Sequence, residues 1–109
     1  MYFVSSPYSH TDKAVVEQRM ALLNKSIAKI QGQYFCVTPL WNHYILEYDN
    51  SIGSDWNFWK EYCEEMMKRC IGIIVLDNID GWKESTGVDA EIKLAQKLNK
   101  PIIFFSDIQ

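Results

Sequence analysis

The sequence predicts a three-layer α/β domain with a small parallel sheet of about four strands. Two observations lead to it. Short apolar runs alternate with stretches of helical periodicity in the order β-α-β-α-β-α-β, and the helical stretches are long enough to cross over between parallel neighbours. The run Ile73-Ile-Val-Leu is also apolar throughout, without the every-other-residue alternation of a half-exposed strand, as expected for a strand covered on both faces. At 109 residues the chain makes about one domain. Right-handed crossovers then give a Rossmann-like, flavodoxin-like arrangement.

The first strand is Tyr2-Phe-Val, stopped by Pro7 and its neighbouring hydroxyl residues. Thr11 or Asp12 caps the following helix, where Val16, Met20, Leu23, Ile27 and Ile30 recur in steps of four and three along one face. Gly32 ends that helix as its C′ residue. Residues 34–38 read as a second strand closed by Pro39, and residues 40–53 as an aromatic-rich connection without a clear period. Ser54 caps a second helix with Trp56, Trp59, Cys63, Met66 or Met67, and Cys70 on its apolar stripe. The third strand covers 73–76 and ends at Asp77. Turn residues 78–82 precede a helix from about 86 to 98, and residues 101–105 form the last strand.

Composition narrows the function classes. Eleven basic against fourteen acidic residues, with no basic cluster, argue against a nucleic-acid partner, because that affinity scales with the phosphates neutralised. No apolar run approaches the ~20 residues of a membrane span, and the N-terminus lacks the pattern of a signal peptide. A cytoplasmic protein without a membrane partner is expected. Cys36, Cys63 and Cys70 fit no metal or redox spacing and read as buried thiols. His43 has no second His or thiolate nearby in sequence, so no metal and no cofactor are expected.

In open α/β sheets ligands bind beyond the carboxyl ends of the strands. This brings residues 5–8, 40–43, 77–82 and 85–91 into consideration. Within the last segment Val88, Ile92, Ala95 and Leu98 define a buried face, and Glu91 falls inside that arc, whereas Asp89 and Lys93 point outward. Two placements of Glu91 are open. An inward, ionised carboxylate near a helix N-terminus could attack a sugar and trap it as an ester; a half-exposed one would simply complement the helix dipole. Ser85 and Thr86 also read as N-caps, and Thr86-x-x-Asp89 as a near capping box.

Ser6-Pro-Tyr-Ser, Asp55-Trp-Asn-Phe-Trp-Lys-Glu-Tyr, and Gly81-Trp-Lys-Glu-Ser-Thr-Gly-Val-Asp-Ala-Glu-Ile-Lys-Leu-Ala leading to Lys100-Pro101 resemble short bacterial and phage proteins related to nucleoside 2-deoxyribosyltransferases. The most specific element is the block W-x-x-S-x-G-x-x-x-E-I-x-x-A. The resemblance implies a retaining reaction at the N-glycosidic bond of a nucleotide or nucleoside, with Glu91 attacking C1′ and Tyr8 orienting it or lining the sugar pocket; a plain turn aromatic is the other reading of Tyr8. Ser6, Asp55, Asp77, Trp82, Ser85 and Gly87 complete the expected substrate site. Ser85 stands where the transferases carry an Asp that contacts the sugar 5′-hydroxyl and where deoxynucleoside 5′-monophosphate N-glycosidases carry Ser, which favours a 5′-phosphate. Cys63 stands where relatives place the acid that assists the leaving base, and a thiol is a poor substitute. A nucleotide-binding module without turnover is therefore the alternative, and a purely structural interaction domain is a third. Relatives also imply a homo-oligomer, a dimer or tetramer, with the aromatics around Trp41, His43, Tyr44 and Tyr48 suited to covering a neighbour.

Overall fold

The computed structural model describes residues 1–49, 51 and 56–108. The first apolar run forms β1 (Tyr2–Ser5), one residue longer than its hydrophobic pattern, because Ser5 is fully buried among its neighbours. Asp12 caps α1 (Lys13–Ile30), its carboxylate accepting from the Ala14 N–H, and Gly32 follows at φ 102, the left-handed position of a C′ glycine. The second strand shrinks to β2 (Cys36–Val37), since pairing with β1 spans only Tyr2 to Cys36 and Phe3 to Val37. The unpatterned connection is ordered instead as a 3₁₀ turn (Pro39–Asn42), capped by the Thr38 hydroxyl, and a six-residue helix α2 (His43–Tyr48). Helix α3 (Trp56–Lys68) follows; its expected cap, Ser54, lies outside the described residues. Then come β3 (Gly72–Val75), α4 (Thr86–Lys97) and β4 (Ile102–Phe104), which starts one residue after Pro101.

The four strands form one all-parallel sheet in the order β2-β1-β3-β4. That order is the flavodoxin-like one, whose direction of winding reverses between β1 and β3. Alternate residues of the two central strands face opposite layers. Val4, Ile74 and Leu76 meet the α1 stripe Met20, Leu23, Ile27 and Ile30. Phe3, Ile73 and Val75 meet Cys63 and Met67 of α3, Cys70 in the turn that follows it rather than on its expected helical stripe, and Val88 and Ala95 of α4. Every residue of β3 is buried, as its unbroken apolar run predicts.

Loops at the carboxyl end are tied down by α1. The Arg19 guanidinium donates to the Ser9 carbonyl at 2.9 Å and to the Asp80 carbonyl at 3.4 Å, which clamps the loop after β1 to the one after β3. Gly81, at φ 92, passes so close to this guanidinium that an added Cβ would collide with it. No helix among the described residues is long and apolar enough to cross a membrane.

Candidate functional site

At the β1/β3 switch point a cavity of about 300 Å³ opens beyond the strand ends. Its walls come from the loop after β1 (Ser6, Tyr8), the 3₁₀ turn and α2 (His43, Leu46), α3 (Trp59, Cys63) and the start of α4 (Ser85, Gly87, Glu91). Its volume is at the low end for ligand pockets, which suits one small molecule.

Glu91 is 8% exposed, so the inward placement holds. Its Oε1 accepts the Ser5 hydroxyl at 2.7 Å, a bond joining residues 86 positions apart, and its carboxylate also accepts from the Cys63 thiol. Burial pushes the Glu91 carboxyl up to about 7, while the bonds from Ser5 and Cys63 pull it down. The expectation of a dipole-stabilised anion is corrected here. Ser85 is the N-cap, so Glu91 lies more than a turn and a half into α4, beyond the reach of the terminal N–H groups, and desolvation wins.

Cys63 is 3% exposed and carries a role the sequence reading missed. Its thiol is pushed up to about 12 by burial and by the adjacent Glu91 carboxylate, so it stays an S–H donor that steadies that group. Ser5 falls among the candidate residues after the first strand, but nothing in the sequence marks it as the partner of Glu91.

Ser85 caps α4, its Oγ accepting from the Val88 N–H at 3.2 Å, and its hydroxyl hydrogen remains available to the cavity it lines. Thr86 is therefore the first helical residue rather than the cap, and no capping box with Asp89 forms; Asp89 pairs with Lys93 at 2.9 Å on the solvent side. Gly87 leaves the first turn of α4 unscreened by a side chain, next to N–H groups that lack intrahelical acceptors.

Two expected site residues point elsewhere. Asp77 accepts the Ser106 N–H at 2.9 Å and the Ser106 hydroxyl at 2.5 Å, so its carboxylate is committed to the turn after β4. Trp82 packs on Phe104 with ring centroids 5.8 Å apart and belongs to the α3/α4 core layer. Neither lines the cavity, because β4 lies beside β3 and draws the residues after β3 toward itself. Asp55 lies outside the described residues.

Tyr8 meets His43 in the cavity wall, its hydroxyl 2.7 Å from His43 Nδ1. Burial, then the charges of Glu47 and Glu17, push the Tyr8 phenol above its ordinary value. His43 is 6% exposed and is the one buried residue of α2, a placement that the unpatterned connection gave no means to foresee.

Residues 1–107, nearly the whole chain, match a family described as "Domain of unknown function (DUF1937)". The chain belongs to that family. A search of curated proteins found no match. The family description carries no activity, so function is argued from the cavity itself.

Proposed function

We propose that this protein cleaves or transfers at the N-glycosidic bond of a nucleotide, with Glu91 as the nucleophile. The observation that carries the reading is a buried carboxylate at the switch-point cavity, held by Ser5 and Cys63. A glycosyl-transferring carboxylate needs shielding from water, a fixed direction of attack and access to the anomeric carbon. Ser85 and the open first turn of α4 lie in the same wall, where a hydroxyl and the positive end of a helix suit a 5′-phosphate. In the proposed sequence the ionised carboxylate attacks C1′, the base leaves with the bonding electron pair and takes up a proton from solvent water, and water or a second base then displaces Glu91 from the sugar, freeing the carboxylate. Tyr8, in the same wall, orients the sugar.

The test is base release from a panel of nucleoside monophosphates and deoxynucleosides, with Glu91→Gln as control. Release that needs Glu91 supports the assignment; release unchanged in Glu91→Gln removes Glu91 from it. One observation favours a second reading, a nucleotide-binding module without turnover. The Cys63 thiol, at about 12, is too weak an acid to protonate a leaving base at neutral pH. Thermal stabilisation by a monophosphate that remains intact for hours would select this alternative.

The resemblance also suggests self-association, and α2 and α3, which wall the cavity, expose Tyr44, Tyr48, Phe58 and Tyr62. Light scattering at micromolar concentration tests it: a dimer or tetramer is expected, and a monomer contradicts it.

A further inference from the structure

His43 separates two environments. Its Nδ1 faces Tyr8 and the cavity, and its Nε2 faces two glutamates on the opposite side. Nε2 lies 2.8 Å from Glu47 Oε1 and 3.4 Å from Glu17 Oε1, yet it is buried without a hydrogen-bond partner. The side chains of Glu17 and Glu47 are half-exposed, and together with Lys13, Ala14 and Leu46 they line a shallow, open depression.

We propose that Glu17, His43 and Glu47 bind one divalent transition-metal ion of the zinc class, through His43 Nε2 and one carboxylate oxygen from each glutamate. One ligand atom from each residue falls within 4.8 Å of the other two, a spacing an ion at about 2.0–2.2 Å from each can bridge with little adjustment. One imidazole and two carboxylates suit zinc or manganese rather than magnesium, which takes oxygen ligands. The open depression leaves room for water in the remaining coordination positions. The ion would also decide the tautomer of His43. With Nε2 on the metal, the proton resides on Nδ1 and is donated to the Tyr8 oxygen, the usual outer support of a metal-bound imidazole. Tyr8 then turns its own hydroxyl hydrogen away from His43. The ion thus acts on a residue that lines the cavity without entering it. Glu47 is four residues from His43 on one helix, but Glu17 arrives from α1, so sequence spacing alone supports no metal.

The experiment uses the full chain, stripped with a chelator and titrated calorimetrically with Zn²⁺ in a non-coordinating buffer, with Mg²⁺ as control. Imidazole nitrogens are followed by long-range ¹H–¹⁵N NMR. One-to-one Zn²⁺ binding is expected, with the Nε2 resonance of His43 moving and those of exposed His10 unchanged. Glu17→Gln and Glu47→Gln, at half-exposed positions compatible with folding, should each weaken binding by at least about tenfold. Absence of saturable binding up to about 1 mM Zn²⁺ overturns the site, and the imidazole is then held by the two carboxylates alone. Binding that survives both substitutions undiminished also overturns it, since the ion would then reside elsewhere, such as on the thiols. No readout depends on base release, so the metal site and the glycosyl reading fail separately.

Discussion

Replacing Glu91 by Gln should make the folded protein more stable at alkaline pH, even though it removes the group proposed for chemistry. Burial raises this carboxyl from the ordinary glutamate value near 4.5 to about 7. At about 1.36 kcal/mol for each pKa unit, ionising it in the folded state costs about 3 kcal/mol. The folded value is the higher one, so the contribution to stability is fully present below about 4.5. It falls as pH rises from there to about 7, where the unfolded chain has lost the proton and the folded chain retains it, and it is level above that. Gln keeps nearly the same shape and still accepts the Ser5 hydroxyl, but has no charge to desolvate. Urea denaturation of both proteins at pH 4.5 and pH 8 supplies the comparison, because the other carboxylates titrate alike in the two and cancel in the difference. The stability of Glu91→Gln relative to the parent should rise by about 3 kcal/mol between those pH values. A difference that is flat with pH, or that falls toward alkaline pH, would refute the account of Glu91 as a desolvated carboxyl.

Ser5→Ala removes a bond that holds the Glu91 carboxyl down, so the pH at which base release reaches half its maximum should move above about 7; a profile that stays in place would remove Ser5 as its regulator. Ser85→Asp preserves an N-cap but sets a carboxylate beside the expected phosphate, and should lower the preference for monophosphates over nucleosides by at least about tenfold, or about 1.4 kcal/mol, in competition kinetics or binding. An unchanged ratio would place the phosphate elsewhere. Asp77→Ala loses two hydrogen bonds to Ser106 and should destabilise the fold by about 1 kcal/mol in the same denaturation assay while ligand binding is unchanged; weakened binding would return Asp77 to the site.

The elements legible in the sequence are those whose burial is regular. Helix α1 repeats apolar residues along its eighteen positions, and Ile73, Ile74 and Val75 of β3, with Leu76 just past its end, are all apolar because both faces of the strand are covered. Strand β2 reads as longer than it is, because Tyr34 and Phe35 suit a strand by composition, but β1 pairs only with Cys36 and Val37 and takes from Phe35 just its carbonyl, which accepts the Tyr2 N–H at 2.8 Å. Helix α2 was not readable, since six residues with His43 as their one buried member carry no period. In the site, the inward turn of Glu91 was legible from the stripe of α4, as was the neighbourhood of Ser6, Tyr8, Ser85 and Gly87 at the strand ends. Asp77 and Trp82 were misplaced because position after β3 in the chain does not reveal which neighbouring strand claims the residues that follow.

The parallel α/β layering and the inward side of Glu91 can be read locally, since unbroken apolar runs mark strands covered on both faces and a 3.6-residue period marks the buried stripe of each helix. Tertiary structure alone decided what surrounds that carboxylate. Ser5 and Cys63 reach it from a strand and a helix far away in the chain, and Glu17 reaches His43 in the same manner. Hydrogen bonding and desolvation act through a few ångströms of space, and no local pattern records them.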